Sequence, residues 1–162
     1  GYEAAKSVFP DTKVIVHLDS GYDNDLYNWN LDILKNNGAK WDMIGMSLYP
    51  YWAMLYGEET SADKVITDCI ENIKKVSAKY DSDVMIVETG MECADDDGRL
   101  ADTSVLAEGK ALLSRILKES QENTNGRCKG VFYWEPQCKP SKYRLGAFTE
   151  EGYPTVIMDA FQ

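Results

Sequence analysis

Apolar residues fall along the chain in short runs, and each run passes through a polar loop into a stretch with apolar positions at helical spacing. "KVIVHLDSG" (13–21) predicts a first strand. A helix near 25–37 follows, with Leu26, Trp29, Ile33 and Leu34 on one face and Gly38 as its stop signal. "WDMIGMSLYP" (41–50) predicts a second strand, ended by Pro50. Ser61 opens a long helix in which Ile66, Cys69, Ile70 and Ile73 give the i, i+3, i+4, i+7 stripe. "VMIVETG" (84–90) is the third strand, and its helix spans about 104–119 with Leu106, Leu113, Ile116 and Leu117 inward. "GVFYWEP" (130–136) is the fourth, before a long loop and a short final helix, "TVIMDAF" (155–161). The opening "YEAAKSVF" reads as the tail of an earlier helix.

Strands apolar on both faces and separated by helices indicate a parallel α/β sheet covered with helices. Parallel strands need such crossovers, which are right-handed. A doubly wound open sheet and a closed barrel both satisfy this. No G-x-G-x-x-G follows any strand and no Walker sequence is present, so nucleotide binding has no support. Asp19, Tyr49, Glu88 and Trp134 stand at the C-terminal ends of four successive strands. A (β/α)8 (TIM) barrel builds its active site from that rim, but needs about 250 residues. The 162 residues hold four units. The expected architecture is therefore a single partial domain over 1–162, the C-terminal half of such a barrel, about strands 5 to 8.

Strand parity ranks the rim residues. Val84, Ile86 and Glu88 are expected on one face, as are Ile15, His17 and Asp19, then Met43, Gly45, Ser47 and Tyr49, and finally Phe132 and Trp134. Glu135 has the opposite parity from Trp134 and is expected to point away from the pocket. His17 reads as a hydrogen-bonded interior residue. A carboxylate set among Trp and Tyr rings suggests carbohydrate chemistry, because sugar C–H faces stack on aromatic rings while their hydroxyls need carboxylate and amide partners. A retaining glycosidase needs two carboxyl groups about 5–5.5 Å apart. Glu88 is the candidate nucleophile, and Tyr49 the residue that holds it ionised through a hydrogen bond.

The net charge of −10 argues against nucleic acid, which demands clustered Lys and Arg. No run approaches the roughly 18 apolar residues of a membrane span. The chain starts at Gly1 with no signal-peptide pattern, so it is expected to belong to a longer product whose export signal lies upstream. The four cysteines form no C-x-x-C pair and there is one histidine, which disfavours a zinc site. Cys69 falls on the apolar stripe of the long helix. Cys93 and Cys138 each lie just past a strand end, and a bridge between their loops is open to an exported protein. Asp95-Asp96-Asp97-Gly98 lacks the spacing and closing Glu of a calcium loop and reads as a solvated turn.

"HLDSGYDNDLYNW", "WDMIGMSLYPYW", "VMIVETG", "GVFYWEP" and "LGAFTEEGYPTVIMDAF", in order over nearly the whole chain, resemble glycoside hydrolase family 53, the endo-β-1,4-galactanases that cut arabinogalactan side chains of pectin. The resemblance implies a (β/α)8 barrel and a retaining double displacement on β-1,4-galactan, outside the cell or at its surface. It places the nucleophile at the E-T-G glutamate, Glu88. The acid/base, in an Asn-Glu motif after the fourth strand, would lie before Gly1. Asp19 of "LD-x-G" is implied as a substrate contact, with Ser47 and Trp52 also candidates. Tyr49 of "S-x-Y-P" would stand near the nucleophile, and Trp134 of "W-E-P" beneath the sugar. No cofactor is expected, with calcium as the alternative. Relatives tie the loops after E-T-G and W-E-P with calcium or with a disulfide, and the paired Cys93 and Cys138 favour the disulfide. The alternative reading is a catalytically silent half-barrel. Its exposed sheet edges and apolar inner face would pair with its own N-terminal half, with a second copy, or weakly with carbohydrate.

Overall fold

Four strand-to-helix units form, and their helices all pack on one face of the sheet. The computed structural model describes residues 1–57 and 59–162. The elements run α1 (Tyr2–Val8), β1 (Ile15–Leu18), α2 (Asn24–Asn36), β2 (Met43–Leu48), α3 (Pro50–Leu55), α4 (Ala62–Tyr80), β3 (Asp83–Thr89), α5 (Thr103–Glu122), β4 (Cys128–Val131) and a 3-10 helix (Val156–Phe161). The sheet has the order β1-β2-β3-β4, and every pairing is parallel.

Local chemistry sets the helix starts. The Asp23 side chain accepts from the Leu26 amide and caps α2. The Ser61 side chain accepts from Lys64 and caps α4. Asp81, in the left-handed region at φ 46°, ends α4. Pro50 ends β2 and also starts α3, whose first turn has no use for its missing N–H.

The core lies between sheet and helices. Ile44, Met46, Val84 and Ile86 meet Leu31 of α2, Ile66, Cys69 and Ile73 of α4, and Leu113 and Ile116 of α5, all fully buried. The inward stripe of α2 differs from the expected one. Tyr27 and Leu31 are buried and Leu34 packs against them, whereas Trp29 is 65% and Ile33 46% exposed. Tyr27 can be buried because its hydroxyl donates to the Leu18 carbonyl at 2.7 Å. The fourth strand is also shorter than its apolar run. Beyond Val131 the pairing continues loosely, with the amides of Phe132 and Trp134 donating to the carbonyls of Ile86 and Thr89, each at 2.8 Å.

The opposite face of the sheet is open. A Cβ on Gly45 would lie 2.8 Å from Ile15 Cγ2 and 3.1 Å from Val87 Cγ2, so these side chains meet over a glycine on that face. Here the expected parity of β3 fails. Met46 pairs with Ile86, but Ser47 pairs with Glu88, which leaves Val87 as an extra residue in β3. Val84 and Ile86 are buried against the helices, while Val87 and Glu88 both turn to the open face. Glu88 therefore does not share a face with Val84 and Ile86, because a bulge resets the alternation between them.

Asp42 fastens α1 to the sheet edge. It accepts from the Val14 amide at 2.7 Å and the Tyr2 hydroxyl at 3.1 Å, and it pairs with Lys6 at 2.8 Å. The Lys6 contact, then the Val14 amide, hold its carboxyl down at about 2. A depressed carboxylate contributes stability that is complete above its unfolded value and fades as pH falls through the folded one. Asp42→Asn should therefore flatten the acid limb of the stability curve between about pH 4 and pH 2, measured by urea denaturation at stepped pH. In the core, Ile73→Ala should cost about 2–5 kcal/mol in the same measurement.

Candidate active site

Three strands bring their tips to one carboxylate. Glu88 Oε2 accepts from Tyr49 Oη and from Ser47 Oγ, each at 3.2 Å. Ser47 Oγ lies 2.7 Å from His17 Nε2. His17 comes from β1, Ser47 from β2, Tyr49 from the N-cap of α3, and Glu88 from β3 beyond the bulge. Burial, then the neighbouring Tyr143 and Glu88, push the Tyr49 phenol well above its usual range, so it stays a donor. Both donors use the same oxygen of Glu88, which leaves Oε1 outside this hydrogen-bond set.

Tyr49 also lines a cavity of about 350 Å³ together with Asp19, Tyr22, Trp52 and Tyr56. The Trp52 and Tyr56 rings stack with centroids 6.1 Å apart and planes at 20°. Tyr51 meets Trp52 edge-on at 4.8 Å. The loop that presents Asp19 is anchored from below. Buried Asn72 of α4 donates to the Gly21 carbonyl and accepts from Asn24, both at 2.7 Å. Gly21 sits tight against β2, since a Cβ there would lie 3.0 Å from the Ser47 carbonyl and 3.2 Å from Cys69 Sγ and would force its neighbours to shift.

The structure thus joins Ser47, Tyr49 and Glu88 by hydrogen bonds and Asp19, Tyr49 and Trp52 around a cavity, with Tyr49 common to both. Trp134 does not line that cavity. It is 45% exposed, and its amide bonds the carbonyl of Thr89, the residue after Glu88. Glu135 adopts a left-handed φ of 45° and accepts from Cys138 Sγ at 3.5 Å. Sequence reading missed Tyr22, Tyr56 and Tyr143. Tyr56 follows Trp52 at helical i+4 spacing, a signal hidden because Pro50 reads as a stop. Tyr143 sits in a loop without periodicity. His17 was placed on the right face but given no part in the site.

The expected bridge between Cys93 and Cys138 is not formed: all four cysteines are free. Cys93 is buried with Sγ 3.9 Å from the Phe148 carbonyl, and burial pushes its thiol up to about 11. Cys138 turns instead to Glu135. Arg144 ties the two loops. Its carbonyl accepts from Cys93 and Ala94 at 2.8 and 3.2 Å. Its guanidinium pairs with Asp96, lies 3.5 Å from Glu92, and sits 5.1 Å from the centre of the Tyr51 ring. These residues do not fit the calcium alternative. Asp95 Oδ1 accepts from the amides of Asp97 and Arg99 at 3.0 and 2.8 Å, Asp97 pairs with Arg99, and Asp96 is engaged by the Arg144 guanidinium, so each of these carboxylates is already committed to an amide or an arginine. Among the described residues, no group of three or more His, Cys, Asp or Glu side chains is disposed to hold a metal. None of their helices is long and apolar enough to cross a membrane.

Comparison with known proteins supplies a frame for this geometry. The endo-beta-1,4-galactanase of Bacillus subtilis is 26% identical over 151 residues, taking in 86% of this chain and 33% of that protein. Arabinogalactan endo-beta-1,4-galactanase A of Emericella nidulans is 25% identical over 134 residues, 76% of this chain and 35% of that one. The GH53 catalytic domain of Ignisphaera aggregans superposes with a TM-score of 0.76 at 21% identity, covering 99% of this chain and 49% of that structure. The chain thus spans about a third of these curated relatives and about half of the solved domain. The superposition shows the fold, four β/α units that match half of a (β/α)8 barrel. The family model for glycosyl hydrolase family 53 matches residues 1–155, and the chain belongs to that family.

Proposed function

We propose that this chain carries the nucleophile half of a retaining endo-β-1,4-galactanase, with Glu88 as the nucleophile. The observation that carries the reading is the pair of hydroxyl donors on Glu88 Oε2, which fix the carboxylate at the rim and leave Oε1 outside the pair. With Oε2 held, Oε1 is the oxygen that attacks the anomeric carbon as the glycosidic C–O bond breaks. A second carboxyl group, supplied by the complementary four units, gives its proton to the leaving oxygen. It then takes a proton from water, whose oxygen displaces Glu88 from the anomeric carbon and frees the carboxylate.

The aromatic wall of Trp52, Tyr56 and Tyr22 offers faces for sugar rings, and Asp19 an acceptor for their hydroxyls. Trp134 would lie under the sugar at the cleavage point. A neutral galactan suits a protein of net charge −10. The galactanases named among its relatives support this substrate class, and we extend the proposal to arabinogalactan side chains met outside the cell. The partner required is the N-terminal half-barrel.

A second reading concerns the chain by itself. Phe132 is 59% and Trp134 45% exposed, and β1 and β4 are the edges of the sheet. By itself the chain is then catalytically silent and associates through that face, with its missing half or with a second copy. Size-exclusion chromatography paired with a reducing-sugar assay on β-1,4-galactan separates the readings. The chain alone should show no turnover, and the full-length protein should be active. Glu88→Gln in the full-length protein should lower kcat by at least about a thousandfold with an unchanged circular dichroism spectrum. Activity within tenfold of wild type would remove Glu88 from the role, and a full-length protein inert on galactan would remove the substrate.

A further inference from the structure

His17 is the chain's single histidine, and its ring lies on the open face of the sheet rather than in the core. In register it faces Gly45, which has no side chain, and its Nε2 reaches past that gap to Ser47 Oγ at 2.7 Å. That contact is shorter than the 3.2 Å from Ser47 Oγ to Glu88 Oε2. A serine hydroxyl has one hydrogen to give and two lone pairs that accept. An ionised Glu88 can only accept. If Nε2 were bare, imidazole and carboxylate would compete for the single serine hydrogen, and Tyr49 alone would be committed to Glu88. If Nε2 carries hydrogen, every contact is satisfied at once: imidazole donates to serine, serine donates to carboxylate.

We propose that His17 is a positioning residue for the nucleophile, its Nε2–H donating to Ser47 Oγ and so committing the serine hydrogen to Glu88 Oε2. The proposal deepens the galactanase reading and rests on it for its catalytic consequence. The direction of the relay does not depend on that reading. The relay turns Ser47 from a rotor with two acceptors within reach into a donor with one target. It also fixes which oxygen of Glu88 is held back from the sugar.

The test has a spectroscopic arm and a kinetic arm. In the uniformly 15N-labelled chain at about pH 8, above the ordinary imidazole range, the lone histidine gives unambiguous ring signals. The expected result is hydrogen on Nε2, with an observable Nε2–H resonance that is lost to solvent exchange in Ser47→Ala. Hydrogen on Nδ1, or an Nε2–H signal indifferent to Ser47→Ala, would overturn the relay. In the full-length protein, His17→Leu should lower kcat about tenfold with KM unchanged. His17→Gln, which can place an amide N–H near the same position, should recover to within about threefold of wild type. A wild-type kcat in His17→Leu, or a glutamine variant no better than leucine, would contradict the positioning role. Should Glu88→Gln prove active, the nucleophile reading fails while the ring signals still judge the relay.

Discussion

Parallel strands alternate their side chains, and strict alternation would carry Glu88 to the helix side of the sheet with Val84 and Ile86. A carboxylate there would be buried among Ile and Leu without partners, a cost of several kcal/mol. One extra residue in β3 removes the conflict. Val87 is unpaired against β2, so Val87 and Glu88 both face the open side and Thr89 returns to the helix side. Thr89 then donates its hydroxyl to the Leu48 carbonyl at 2.6 Å, which pins the strand immediately past the bulge. The apolar half of β3 can therefore stay in the core while its last turnout delivers a charge to the rim.

Around that constraint the supports are polar but satisfied. Asn72 is buried in α4, yet both ends of its amide are used, and they hold the loop that carries Asp19. Glycines at 21 and 45 permit close approach, where a Cβ would crowd the Ser47 carbonyl at the first and collide with Ile15 at the second. Arg144 joins the loops after β3 and β4 through its own carbonyl and guanidinium, where a disulfide was the sequence expectation. A cation on a side chain needs no oxidising compartment and no ion supply, and it reaches the Tyr51 ring that braces Trp52.

The order of elements was legible because strands and long helices leave strong periodic signals. Ser61 through Tyr80 shows this, its stripe of Ile66, Cys69, Ile70 and Ile73 buried as the spacing predicts. Tyr49 near Glu88 was legible as well. The stripe of α2 was misread because residue type was taken for burial: Trp29 is large and apolar yet exposed, and Tyr27 is polar-tipped yet buried. The face of Glu88 agrees with the rim reading for a different reason than parity, since a bulge leaves no mark in the hydrophobic pattern of "VMIVETG". The cysteines were misread because loop proximity along the sequence says nothing of where each Sγ points.

The most direct measurement is to treat the full-length protein with a slow-turnover 2-deoxy-2-fluoro-galactosyl substrate and to locate the trapped sugar by peptide mass spectrometry. A covalent galactosyl ester on Glu88 is the expected result. A label on another carboxylate such as Glu135 or Glu92, or inactivation with no carboxylate labelled, would contradict the assignment of Glu88 as the attacking group.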